Sequence, residues 1–566
     1  MQNDRFIQRI KDFVPIIEWL PKYKIGFLKW DLVAGITLAS FVLPESMAYA
    51  TLAGLPTYFG IYCCLAGGFF FAFFTTSKQV AIGPTSAISL MVGTTLAVLS
   101  GGDPAKWAAI AALTALVVAG IYFLAFACKL SSLVSFISDS ILLGFKAGAA
   151  LSIISTQLPK LFGVEAGGSN FFIRIAHLVA QIPVMNLYVL GFGIVALLLL
   201  IVGEKTLPGK PVSLVIVIAS IIILSLTNFS VYGIHVTGFI PSGLPQFQSP
   251  TLQMKELDGV LELALACFLM GFIETISAAK TFAIKNGYQV NSRQELLSLG
   301  FANLGAAFFS AYVVSGGLSQ TTINDKSGAK TPLAIIICSV TLAVILLFFT
   351  HLLSNLPEVI LAVIVLHAVA GLIKIQELKK LFKLSKIEFG VAMIAILGVL
   401  VFGILKGVML AVIMSLLLLI KRISQPNIAV LGKIGETNHF SDIERHPDNI
   451  QIRGILILRI EASILYFNSE FITESIYSKI EAYPDELRLL ILDMSPSSYV
   501  DVGGSKMLLR LSEEMKKKGI QLEIVEALST VRDILRKIGL ERVTGKISRM
   551  RSIEDAVDTY SIETSG

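Results

Sequence analysis

Gly83-Pro84-Thr85-Ser86-Ala87-Ile88-Ser89 sets glycine, proline and small hydroxyl residues inside a chain otherwise apolar enough to lie in lipid, and Ser315-Gly316-Gly317-Leu318-Ser319-Gln320-Thr321-Thr322 does the same far downstream. Each opens a segment too short to cross a bilayer, so each reads as the start of a short helix within the membrane. Backbone N–H groups at a helix start lack intrahelical partners and together carry roughly half a positive charge. Irregular backbone at membrane depth is tolerated where it lines a cavity, and broken helices in corresponding halves of a chain point to a transporter's substrate site. Two such starts facing one another would hold an anion without a buried cation. The same residue types also serve plain close packing between membrane helices, and at this level both readings stand.

Composition fits the membrane. Hydrophobic residues make up 54% of the 566 residues, charged residues 15%, and the mean hydropathy is +0.76, which marks a polytopic α-helical membrane protein. The net charge of +6 forms no basic stripe interleaved with aromatics, so nucleic acid is not an expected partner. Cys63, Cys64, Cys128, Cys267 and Cys338 lie in apolar segments without metal-ligand spacing and read as small core residues. His351 and His367 sit at helix ends with no partner at ligand spacing. No metal site, cofactor or catalytic constellation is expected.

Residues 1–30 carry Arg5, Arg9, Lys11, Lys22, Lys24 and Lys29 ahead of the first apolar run, an excess that puts the N-terminus in the cytoplasm. The first span starts near Asp31 and is interrupted by Pro44. Further segments follow at roughly 57–75, 84–98, 107–128, 133–155, 187–203 and 211–227, with an amphipathic interfacial helix near 171–182. After a Pro- and Gly-rich connection, a second set runs at roughly 259–283, 292–313, 319–328, 331–352, 356–373, 386–405 and 407–421. Each set has seven members with a short third one, and Glu45 to Glu274 spans nearly the same length of chain as Thr85 to Leu318. About fourteen segments in an inverted repeat, 31–230 and 258–425, would return the C-terminus to the cytoplasm. From 448 to 560 strands alternate with amphipathic helices, the pattern of a small soluble α/β domain.

These residues resemble the sulfate permease (SulP) family of anion transporters. DLVAGITLASFVLPESMAYATLAGLPTYFGIY resembles the family's first two helices, GPTSAISLMVG its third, GFIETISAAKTFA its eighth and SGGLSQTTIN the start of its tenth, while 450–545 resembles the STAS domain that ends such chains. The resemblance implies a fold of seven plus seven inverted repeats, shared with uracil permeases, in which a core domain moves against a gate domain. It also implies a homodimer in the cell membrane and an elevator-like displacement. The anion would sit near Thr85, Ser86, Leu318 and Ser319, with Glu45 and Tyr49 alongside.

Two departures bear on the substrate. Many relatives carry Arg where this chain has Gln320, and Gln where it has Glu45, so the site is more negative than the common pattern and a divalent anion would need a proton or metal cation with it. Glu274 is the expected coupling residue, because an ionised carboxylate near the bilayer centre costs at least about 2.5–3.5 kcal/mol and is functional by default. An ion pair with Lys280 or Lys285 is the alternative role. Sodium-driven relatives place a hydroxyl one turn after this acid, where this chain has Ala278; Thr275 and Ser277 are the nearby substitutes, and a proton is expected ahead of sodium. The expected function is proton-coupled sulfate uptake. Sodium-coupled bicarbonate or dicarboxylate transport and chloride/bicarbonate exchange stay open, as does a membrane-tethered STAS regulator. In the STAS segment, Asp501-Val502-Gly503-Gly504 replaces a turn that bears a phosphorylatable serine in related domains, leaving docking of a cytoplasmic protein or dimer support as the expected role.

Overall fold

The computed structural model describes residues 13–100, 103–131, 139–168, 170–207, 210–226, 232–250 and 257–565. Arg5, Arg9 and Lys11, on which the placement of the N-terminus leans, lie outside the described residues, as does the opening of the segment expected at 133–155. The chain divides into two units, Met1–Ser415 and Leu416–Gly566.

The first unit is helical. Its first half contains α1 (Leu28–Leu52), α2 (Tyr58–Phe74), strand β1 (Ile82–Gly83), α3 (Ser86–Leu99), α4 (Pro104–Ala127), α5 (Asp139–Phe162), the amphipathic α6 (Phe171–Gln181), α7 (Leu187–Thr206) and α8 (Val212–Leu226). The second half follows the same order: α9 (Leu257–Lys285), α10 (Ser292–Phe308), strand β2 (Ser315–Gly316), α11 (Leu318–Lys326), α12 (Leu333–Phe348), α13 (Glu358–Ala370), the amphipathic α14 (Ile375–Leu384), α15 (Lys386–Phe402) and α16 (Ile404–Ser424). Among the described residues, six helical stretches are long and apolar enough to cross a bilayer. The outer faces of α7 and α8 expose Leu198, Leu199, Val202, Val215, Ile218 and Ile222. Such contiguous apolar surface is stable only against lipid or protein.

Two sequence expectations need correcting. Pro44 does not interrupt the first span: α1 is continuous through it. One missing N–H is tolerated where neighbouring helices enclose the segment, and every residue from Val42 to Ala50 is buried. Cys128 is exposed at the end of α4, unlike the other four cysteines. His367 Nε2 lies 2.9 Å from Glu204 Oε2. The sequence reading also passed over α14, a short amphipathic helix with Ile375, Leu378, Leu381 and Phe382 at helical spacing. Close helix packing at Gly144 and Gly148 is observed: both face the backbone of α15, at Ala392 and Ile396.

The second unit holds a five-stranded sheet, β3 (Ile428–Lys433), β4 (Phe440–Asp442), β5 (Ile455–Ile460), β6 (Leu489–Asp493) and β7 (Gln521–Val525), in the order β4-β3-β5-β6-β7. β5, β6 and β7 run parallel; β3 is antiparallel to both β4 and β5. Alternate residues serve two cores. Leu456, Leu458, Leu490 and Leu492 pack with α17 (Ser469–Glu481), α18 (Val502–Lys517) and α19 (Ser529–Lys537) on one face, while Ile455, Ile457, Leu489 and Ile491 pack with α20 (Ile553–Ser565) on the other. The sheet thus begins before residue 448, because β3 and β4 form an edge hairpin that the β-α alternation does not announce.

Candidate functional site

β1 and β2 pair antiparallel, with Ile82 opposite Gly316 and Gly83 opposite Ser315. This two-residue ladder joins the halves of the membrane unit at the point where each chain turns into a short helix. The approach is close. A Cβ on Gly83 would lie 2.7 Å from Cys64 Sγ and 3.1 Å from Gln320 Oε1, and one on Gly316 would lie 3.0 Å from Thr275, so a side chain at either glycine would crowd its neighbours. Side chains hold the ladder from both ends. Asn303 donates to and accepts from Val314 backbone at 3.0 Å, Thr275 Oγ1 accepts from Gly316 N at 2.8 Å, and Asn324 Nδ2 donates to Gln79 O at 2.8 Å.

The starts of α3 and α11 lack side-chain caps, as do those of α1, α2, α12, α13 and α14, but α3 and α11 alone among these follow the paired strands β1 and β2. α6, α7, α10 and α15 are capped by the side chains of Asn170, Asn186, Asn291 and Ser385. At α3 and α11 the capping positions are Thr85 and Gly317, both extended, and neither supplies a side-chain cap. First-turn N–H groups there keep their capacity for an acceptor. Gln320 Nε2 donates to Pro84 O at 3.3 Å, which holds the start of α11 beside the start of α3.

Each start faces a carboxylate. Glu274 of α9, partly buried, has its Oε2 accept from Thr85 Oγ1 at 3.0 Å and from Ser315 Oγ at 3.2 Å. Glu45 of α1, buried, accepts at Oε1 from Tyr49 OH at 2.9 Å and from Ser319 Oγ at 3.2 Å, and at Oε2 from Gln320 Nε2 at 3.1 Å. Ser86 lies against Tyr49. The expected residues therefore converge, with Leu318 able to contribute only its backbone, since its side chain is 46% exposed. Thr275 is committed to the scaffold, its hydroxyl also donating to Gly271 O at 2.6 Å. Ser277 is exposed and Ala278 is fully buried.

Glu274 makes no ion pair with Lys280 or Lys285; Lys285 binds Asp325 at 2.6 Å. The cation that acts on Glu274 is Lys146 of α5. It is the single lysine in the apolar run ILLGFKAGAALSII, a signal the sequence reading missed. Two more buried acids escaped notice. Asp31 accepts from Lys330 N, Thr331 N and Thr331 Oγ1 at 2.7, 3.1 and 2.7 Å, and Glu295 accepts from Thr76 N and the hydroxyls of Thr75 and Thr76. Both sit in a helix's first turn, where an acid is ordinary.

In the second unit Asp501 caps α18, its Oδ1 accepting from Gly504 N at 2.7 Å. Ser505 is buried and donates to Val502 O at 3.0 Å, so no hydroxyl at this turn reaches solvent.

A model described as Sulfate permease family matches residues 28–395, and one described as STAS domain matches 446–556. The chain is 28% identical over 550 residues to a "Probable sulfate transporter" of Mycobacterium tuberculosis (strain CDC 1551 / Oshkosh), covering 97% of this chain and 98% of that one. It is 30% identical over 574 residues to "Sulfate transporter 4.1, chloroplastic" of Arabidopsis thaliana, covering 98% and 83%. The structure of the murine Solute Carrier 26 family member A9 anion transporter in the inward-facing state superposes with a TM-score of 0.90 at 24% identity over 98% of this chain and 95% of that one, a likeness of fold. The chain belongs to the sulfate permease family: it is a multi-pass membrane anion transporter that ends in a STAS domain.

Proposed function

We propose that the protein is a secondary active transporter that takes up sulfate together with protons, and that Glu274 carries a coupling proton. One observation carries this reading: two uncapped helix starts, joined by the β1–β2 ladder, each face a carboxylate held by hydroxyl donors. Uncapped N–H groups and hydroxyls are what a desolvated oxyanion requires. Two carboxylates beside them repel a divalent anion unless they are neutralised. Sulfate is named ahead of other oxyanions because the relatives aligned along nearly the whole chain are named as sulfate transporters. A proton is favoured over sodium because the hydroxyl of Thr275 is committed to backbone partners, Ser277 is exposed and Ala278 offers no ligand.

Within the same reading, the two halves form an inverted repeat, the α1–α4 and α9–α12 set moves as an elevator against the rest, and the protein works as a homodimer in the cell membrane with both termini cytoplasmic. The STAS domain supports the dimer or docks a cytoplasmic protein without phosphorylation at residue 505.

The test is uptake of labelled sulfate, bicarbonate and dicarboxylates into proteoliposomes under imposed proton or sodium gradients, with Glu274→Gln alongside. Sulfate accumulation driven by protons and reduced in the variant is expected. Accumulation driven by sodium alone, or by neither gradient, would replace the reading.

A further inference from the structure

We propose that Glu45 is a second proton-carrying carboxylate, and that an anion engages the start of α11 only when Glu45 is protonated, so that each divalent anion crosses with two protons. This inference rests on the proton-coupled reading above and extends it to stoichiometry.

The geometry of the α11 start is that of a site already occupied. Ser319 and Gln320 are the side-chain donors that this helix start offers an anion, and both are spent on Glu45, at 3.2 and 3.1 Å. An ionised Glu45 thus blocks an incoming oxyanion twice, by charge and by holding its donors. The α3 start is arranged the same way, with Thr85 and Ser315 spent on Glu274. An anion that takes both sets of donors must displace two carboxylates, and leaving either one ionised beside it in a low-dielectric site is costly.

The hydrogen-bond accounting around Glu45 points the same way. Its two oxygens take all three local donors, while Oε1 of Gln320, also buried, has no partner. The cluster is one donor short. A proton on Glu45 supplies that donor, and rotation of the Gln320 amide brings its acceptor to the new O–H. The proton comes from the compartment that supplies the anion and leaves to the other side when Glu45 ionises again and recaptures Ser319 and Gln320.

Few charges face Glu45. Tyr49 lies on its own helix, Cys64 on the turn of α2, Glu274 on α9, and Glu204 of α7 acts from farther off, paired with His367 of α13. Of the other helices packed on α1, α8 has no ionisable side chain, α12 has Cys338, α13 adds Glu358 in its first turn, and α11 carries Asp325 and Lys326 in its last turn, with Asp325 paired to Lys285. No described cation makes an ion pair with Glu45. Glu274 likewise makes no ion pair among the described residues, but it lies in the field of Lys146.

The experiment uses the full-length protein in proteoliposomes with the membrane potential clamped at zero, and reads the sulfate gradient at which net flux vanishes for a given pH difference. Two protons balance a sulfate ratio of roughly 100-fold per pH unit and one proton roughly tenfold. The wild type is expected at the first value and Glu45→Gln, which keeps the shape but takes up no proton, at the second. A Glu45→Gln variant that matches the wild type overturns the inference. A wild type indifferent to the pH gradient overturns instead the proton-coupled reading beneath it. Proton uptake on adding sulfate to the purified protein in weakly buffered detergent reads the same stoichiometry without turnover. Two protons per sulfate in the wild type and one in Glu45→Gln support the inference; equal uptake sinks it.

Discussion

The starts of α3 and α11 occupy matching places in the two halves, yet they divide water and charge in opposite ways. At α3 the donors are dry, with Thr85 and Ser86 each 8% exposed, while the acid they face, Glu274, is partly open and has Lys146 acting on it. At α11 one side-chain donor, Ser319, is exposed and the other, Gln320, is buried, while Glu45 is 2% exposed and relies on hydrogen bonds alone. One half-site therefore sets its acid near a cation and partly open to water, and the other sets its acid in a place where charge is costly. A repeated sequence pattern has produced two sites of unequal electrostatics.

The largest effect that follows is at Glu274. Glu274→Gln removes the charge and the proton site while leaving an amide oxygen that can still accept from Thr85 or Ser315. With one of two coupling protons gone, the sulfate ratio supported by a one-unit pH difference is expected to fall roughly tenfold, while exchange of sulfate for sulfate persists. Loss of exchange as well would assign Glu274 to anion binding and erase the difference between the half-sites. Next is the ladder between them. Gly83→Ala drives a methyl group into Cys64 and Gln320, an overpacking expected to cost about 1–3 kcal/mol and to lower the melting temperature of the detergent-purified protein. An unchanged melting temperature would mean that the two starts are not locked together. Third is Thr85→Val, which keeps shape and removes one buried hydroxyl. The half-saturating sulfate concentration should rise about tenfold, the equivalent of about 1.4 kcal/mol.

Much of this arrangement can be read from the chain because the signals are of kinds that do not depend on tertiary contact. Glycine with small hydroxyl residues inside apolar sequence marked both helix starts, and Glu45 and Glu274 stood out because acids are rare in lipid. What escaped is relational. Lys146 gains meaning only when α5 is seen against α9. Glu295 and Asp31 sit where helix-start acids commonly sit, so nothing in their local sequence separates a surface dipole partner from a buried anchor. Pro44 broke a pattern on paper but not the helix, since packing around α1 absorbs the lost hydrogen bond. The edge hairpin of β3 and β4 was missed because its pairing with β5 is made across some twenty residues of turn-rich chain.

The smallest effect is the one that tests the comparison most directly. Ser319→Ala removes a hydroxyl as Thr85→Val does, from the matching half-site and toward a matching carboxylate. Its bond to Glu45 is longer, 3.2 Å against 3.0 Å, and it shares that oxygen with Tyr49. Water can also replace an exposed hydroxyl, whereas none replaces a buried one. The half-saturating concentration should therefore rise only about two- to threefold, near the lower end of what one hydrogen bond contributes. Adding Tyr49→Phe should raise it by more than the product of the two single effects, because Glu45 then loses both donors at one oxygen and neighbouring groups do not act independently. A Ser319→Ala effect equal to or above that of Thr85→Val would show that the two starts bind the anion alike, and that burial does not rank them.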